Sequence, residues 1–170
     1  PSSSASTSGD WSIQQHTTAD PHINSYYLTA NVDVGSNDHP SVNFYPYVSA
    51  SAIYNVYISI PGCSMLGDCD GRTDVDIEVN PVTGGLGFTS TISERVQDDT
   101  RTLVYSGPVD ASSGNFTPTV VLSLSKNAGA PASGNTYTVV ADSVIMYLTE
   151  ISGGSTNTSR TSGTPVNGTS

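Results

Sequence analysis

The sequence predicts an all-β protein, a two-layer β-sandwich of the jelly-roll kind with about eight strands and extended Ser/Thr-rich tails. Two observations carry that prediction. Apolar residues come in short runs with period-two spacing, broken by glycine, proline and asparagine, which is the pattern of half-buried strands. No stretch carries an apolar stripe at helical spacing with caps at its ends.

The strand runs fall at residues 26–34, 41–45, 53–60, 74–79, 86–92, 101–105, 119–124 and 137–149. The third, Ile53-Tyr54-Asn55-Val56-Tyr57-Ile58-Ser59-Ile60, is rich in β-branched and aromatic residues and stops at Pro61-Gly62. The fourth alternates Asp74, Asp76 and Glu78 against Val75, Ile77 and Val79, so its carboxylates share one face. The last carries Ala141-Asp142 in its middle, where a bend or bulge is expected. Residues 1–9 and 152–170 are Ser, Thr, Gly and Pro with almost nothing apolar, so they read as linkers around a domain at 10–151. The start at Pro1 reads as that of a processed or excised piece of a longer chain.

Composition narrows the function classes. Only 12% of residues are charged, and the net charge is -10 with five Lys and Arg. Nothing here would displace the counterions of a nucleic acid or hold an anionic membrane surface. No run of apolar residues is long enough for a membrane span. Neutral glycans, cationic partners and divalent metals fit the charge, and acidity selects none of them. The surface must be built from Ser, Thr, Asn and Gly, as on extracellular and cell-wall proteins.

The two cysteines, Cys63 and Cys69, enclose a short glycine-containing loop. A structural disulfide stiffening a strand connection is the favoured reading, worth about 2 kcal/mol in the chain-entropy model. A metal or redox pair is the rival, but the spacing is not Cys-x-x-Cys and no second cysteine pair exists. Asp68, Asp70 and Asp74 are weak calcium candidates, set against a solvated strand face that repels edge pairing. Arg72 lies among these acids and is expected to pair with a carboxylate for a structural reason. His16, His22 and His39 read as exposed loop residues. Nine tyrosines against three phenylalanines and one tryptophan leave Tyr26, Tyr27, Tyr45 and Tyr47 open as glycan contacts, while Trp11 and Tyr54 read as packing residues. Asn115, Asn157 and Asn167 stand in Asn-x-Ser/Thr triplets and are candidates for N-glycosylation. No Gly-x-Ser-x-Gly elbow, phosphate loop or His-Glu-x-x-His is present.

Around the cysteines the sequence resembles a known family. Tyr54-Asn55-Val56-Tyr57, Ile60-Pro61-Gly62-Cys63, Cys69 and Arg72-Thr73-Asp74-Val75-Asp76-Ile77 are similar to the signature of the fungal Rax-two family of bud-site-selection surface glycoproteins. Val42-Asn43-Phe44-Tyr45-Pro46 resembles the strand before it. The early Trp11 and the late Val140-Ala141-Asp142-Ser143-Val144 strand also resemble golvesin-like and galactose-binding-like jelly rolls. The resemblance implies an extracellular, cell-surface module whose sandwich serves as a spacer or adhesion surface. The expected function is therefore a non-catalytic structural or adhesive module, with a repeating fibre subunit as one form of it. A carbohydrate-binding module is the alternative and a glycan-active enzyme the second. No cofactor is expected beyond covalent glycans, with calcium open. The expected partners are surface glycans and identical or tandem copies joined through the tails.

Overall fold

The computed structural model describes residues 4–151 other than 19, 22 and 24. Among these residues there are eleven strands: β1 Ser4–Ser8, β2 Ser12–Gln15, β3 Tyr26–Asp33, β4 Ser41–Tyr45, β5 Ala52–Ile60, β6 Asp74–Asn80, β7 Phe88–Ser93, β8 Thr100–Val109, β9 Thr119–Leu124, β10 Thr136–Ala141 and β11 Ser143–Ile151. One short helix, α1 (Cys63–Leu66), follows β5. Every strand pairing is antiparallel.

One layer of the sandwich is a five-stranded sheet in the order β1-β4-β9-β6-β7. The other is made of two three-stranded sheets, β10-β3-β2 and β11-β5-β8. The last two strands are one run of chain broken at Asp142: the first half pairs with β3 and the second with β5. The bend expected at Ala141-Asp142 is thus where the chain changes partner.

Alternation along each strand builds the core between the layers. Val42 and Phe44 of β4, Val75, Ile77 and Val79 of β6, and Val120, Leu122 and Leu124 of β9 face inward from the first layer. Val56, Ile58 and Ile60 of β5, with Val139, Val140 and Ala141 of β10, face them from the second. Truncating one of these to alanine leaves a cavity in a close-packed interior, at a cost of about 2–4 kcal/mol.

Two regions depart from the sequence expectation. Residues 4–8, expected within a linker, form β1 against β4, with Ser6 opposite Asn43. The pairing is made by the backbone while the side chains of residues 5–8 stay exposed, so no apolar pattern announces it. The carboxylates of β6 do not guard a sheet edge. β6 is an interior strand, between β9 and β7, and Asp74, Asp76 and Glu78 face Ser93, Thr91 and Thr89.

Candidate functional site

The disulfide loop is fastened to the sandwich by a buried charge. After β5 the chain passes Pro61-Gly62 into α1 and reverses at Gly67, whose φ of +69° favours glycine. The Gly67 N–H returns to the Cys63 carbonyl at 2.8 Å. This brings Cys63 and Cys69 together as a disulfide, with their Cα atoms 4.9 Å apart. Within the loop, Asp68 accepts from Arg72 Nε at 3.1 Å. Arg72 Nη1 donates to the carbonyls of Pro61 at 2.8 Å and Glu94 at 3.0 Å.

Arg72 and Glu94 are both fully buried. Glu94 Oε1 accepts the Val140 N–H of β10 at 2.8 Å. Burial pushes the Glu94 carboxyl up to about 8, against the Val140 bond and the nearby Arg72 charge that favour ionisation. Tyr27 borders the same charges. Burial, then Asp68, raises its phenol, while Arg72 opposes them. The His16 ring meets Tyr27 edge-on, 5.2 Å between centroids. Arg72 therefore has the structural role expected of it. His16 is half-buried against Tyr27, not the exposed loop residue expected. His22 lies outside the described residues.

The calcium candidates do not converge. Asp68 is committed to Arg72, Asp70 accepts from Ser133 at 3.2 Å, and Asp74 stands on the outer face of β6. Among the described residues no three His, Cys, Asp or Glu side chains gather as a metal-holding group. On the same outer face, burial works against ionisation of Asp76, but hydrogen bonds from Thr91, Ser125 and Lys126 outweigh it and hold the carboxyl low. That face presents hydroxyls and amides, Ser41, Asn43, Ser123 and Thr91 among them, around a row of carboxylates.

The four tyrosines singled out as glycan contacts separate. Tyr27 is buried in the core and cannot meet a sugar, which corrects that assignment. Tyr45 has its hydroxyl bonded to Ser6 at 3.0 Å and Asn43 at 3.4 Å. Tyr26 and Tyr47 are 56% and 68% exposed. Trp11 packs against the core and donates its indole N–H to the Ser8 carbonyl at 3.0 Å. Tyr54 is half-buried and bonds Ala50. Asn115 is exposed in a turn built on Ser113, whose Oγ accepts the Asn115 N–H at 3.3 Å and the Phe116 N–H at 3.2 Å. Asn157 and Asn167 lie outside the described residues.

A tyrosine pair that the sequence did not single out lies on the outer face of β5, β8 and β11. Register places Tyr57 opposite Leu103 and Ile145, and Asn55 opposite Ser106 and Tyr147. The Tyr57 and Tyr147 rings stand at 79° to one another with centroids 5.6 Å apart. Arg101 Nη1 donates to the Tyr147 hydroxyl at 2.9 Å, and Arg101 Nε lies 3.6 Å from Asp20. The Ser106 hydroxyl donates to Asn55 Oδ1 at 2.7 Å, leaving the Asn55 amide hydrogens as donors. Tyr147 is 39% and Leu103 50% exposed. The result is a corner of two aromatic rings, flanked by a half-exposed Leu and fixed polar groups. Such a surface matches the apolar face and equatorial hydroxyls of a pyranose.

A sequence model of the Rax2 third domain matches residues 1–149. The chain belongs to the Rax2 third-domain family. It is 32% identical over 160 residues to Polarized growth protein L1 of Phoma sp., covering 91% of this chain but 11% of that protein, so it spans about a ninth of that relative's length. Among solved structures it is similar to TmCBM61, in complex with beta-1,4-galactotriose, with a TM-score of 0.48, 12% identity and coverage of 85% and 88% of the two chains. It is also similar to a Family 11 carbohydrate-binding module of a Clostridium thermocellum cellulase, with a TM-score of 0.42, 6% identity and coverage of 88% of each chain. The sandwich assignment for this Rax2 third domain rests on its own sheet pairing and core.

Proposed function

We propose that this Rax2 third domain is a non-catalytic module of an extracellular, cell-surface protein, acting as a structural and adhesive unit. What supports the reading is the disulfide knot. A disulfide that closes a short loop belongs to an oxidising compartment, and here it holds Asp68 beside a buried guanidinium that also donates to the Pro61 and Glu94 carbonyls. The carboxyl with the strongest upward shift, Glu94, is the type of group an enzyme uses as an acid. It is sealed from solvent and occupied by Val140, so it is not presented to a substrate. Among the described residues no helix is long and apolar enough to cross a membrane. Asn115, exposed in its turn, is proposed to carry an N-linked glycan. Peptide mapping of secreted material before and after deglycosylation tests this together with the location: an unmodified Asn115 and free thiols at Cys63 and Cys69 would contradict the extracellular reading.

A second reading, carbohydrate binding, is favoured by the Tyr57–Tyr147 corner. In this reading adhesion is to neutral polysaccharide, with the rings stacking on sugar and Asn55 and Arg101 orienting it. A glycan array with the wild-type module decides it, since binding to no neutral glycan would remove it.

A further inference from the structure

Where the β1–β2 connection approaches the β3–β4 loop, the surface opens into a groove of about 240 Å³ lined by Ser8, Asp10, Asn31, Asn37, Asp38 and His39. It continues into a basin of about 410 Å³ that shares Asp10 and Asn31 and adds Trp11. Local geometry holds the groove in shape. Gly9 has φ of +101°, and a Cβ there would lie 3.0 Å from the Cβ of Pro40, so only glycine lets the connection close down on the loop. The indole of Trp11 is fixed by its bond to the Ser8 carbonyl at 3.0 Å. Asn31 has its Oδ1 taken by the Thr138 hydroxyl at 3.2 Å, which leaves its amide hydrogens as donors.

The charge selects the ligand. Two carboxylates, Asp10 and Asp38, reach the groove from different segments, and no Lys or Arg lines it. The whole chain carries -10. A cation is therefore favoured both locally and by the field of the protein. A bare metal ion needs a gathered set of ligands, and no such group exists among the described residues. Amides, a hydroxyl and an indole beside the carboxylates suit a polyhydroxylated ring, and the groove of about 240 Å³ has room for one.

We infer that this groove binds a protonated amino sugar within an oligosaccharide, its ammonium held by Asp10 and Asp38 and the neighbouring ring resting on Trp11. The inference extends the carbohydrate reading to a second, charged site, and its residues are separate from the Tyr57–Tyr147 corner.

The test is calorimetric titration of the intact module with β-1,4-linked glucosamine oligomers and with N-acetylated oligomers of equal length. The deacetylated oligomer should bind, and added salt should weaken it. The acetylated one, lacking the charge, should bind at least about tenfold more weakly, the equivalent of about 1.4 kcal/mol. Asp10→Asn and Asp38→Asn are isosteric and solvent-exposed, so both should fold, as circular dichroism will verify. Each should weaken the deacetylated oligomer several-fold, while Leu86→Ala, exposed and outside both sites, leaves it unchanged. Equal binding of both oligomers, no effect of either Asn variant, or equal binding of oligolysine would each overturn the proposal. Loss of the deacetylated oligomer in Tyr147→Ala alone would place amino-sugar binding at the corner. Binding of neutral glycans with none of glucosamine oligomers would overturn the groove and leave the carbohydrate reading standing.

Discussion

The disulfide knot and the outer face of β5, β8 and β11 reverse the usual placement of residues in opposite ways. In the knot, Arg72 and Glu94 are charged or ionisable side chains with no exposure at all. On the outer face, Leu103 and Tyr147 are large apolar side chains in contact with solvent. Buried charges and exposed aromatic faces are the departures that carry information, since the converse placements are what any fold does. The buried charge has a role within the molecule, because the Arg72 guanidinium joins the disulfide loop, the end of β5 and the segment after β7 through Asp68 and the Pro61 and Glu94 carbonyls. The exposed tyrosine is only partly explained there. Its hydroxyl is held by Arg101, yet a third of its surface or more is left to water. The difference separates a region selected for folding from one available for contact.

The largest expected effect lies in the knot. Arg72→Ala leaves Asp68 and two backbone carbonyls without their donor, and should cost about 3–5 kcal/mol in urea unfolding. If the cost is under about 1 kcal/mol, the knot is no more essential than a surface pair and the contrast with the outer face fails. Next comes the Glu94 carboxyl, whose folded value of about 8 stands above its ordinary 4.5. The folded state therefore holds a proton that the unfolded chain has released between those values. This contribution to stability is complete below about 4.5 and is lost as the pH rises through about 8, amounting to a few kcal/mol. Glu94→Gln, which keeps the shape and removes the titration, should flatten that fall in a urea series from about pH 4 to about pH 9. An unchanged slope would mean that Glu94 is ionised in the fold.

The staple itself should matter less. Cys63→Ser removes a crosslink around a short loop, and should lower stability by about 2 kcal/mol and leave the sandwich folded. Loss of the β signal in circular dichroism would show that the disulfide holds more than its own loop. Legibility divides along the same line as the two regions. The cysteine pair, the strand runs at 41–45 and 119–124 and the inward face of β6 were readable because local alternation and spacing define them. Arg72 was readable as a paired cation, but Glu94 was not. It lies in Ser93-Glu94-Arg95, an ordinary polar stretch, and only the approach of Val140 from β10 gives it a partner. Tyr57 and Tyr147 were hidden for a related reason. In the run 53–60 tyrosines occur at both parities, so alternation alone does not say which ring faces out. The answer depends on the bulge between Val56 and Tyr57 in the β8 pairing and on a strand nearly ninety residues later. Tyr27, open in the sequence between packing and glycan contact, is settled only by the knot that lies against it.

The smallest effect on stability should come from Tyr147→Ala, and it sharpens the comparison most. The side chain is more than a third exposed, its ring meets Tyr57 edge-on, and Arg101 keeps Asp20 when the hydroxyl is gone. Unfolding free energy should fall by about 1 kcal/mol, for the loss of one aromatic pair on a part-exposed strand. If the corner binds sugar, affinity for a neutral glycan should fall at least about tenfold, since stacking on one aromatic ring commonly carries that much. Tyr47→Ala, which removes a ring more exposed still but outside the corner, should change neither quantity. A large loss of stability in Tyr147→Ala would make the outer face part of the folding machinery, like the knot. Retained binding in Tyr147→Ala with loss in Tyr47→Ala would move the adhesive surface to the β4–β5 loop. Only a variant that stays folded and binds poorly keeps the two regions distinct, one holding the module together and the other meeting its partner.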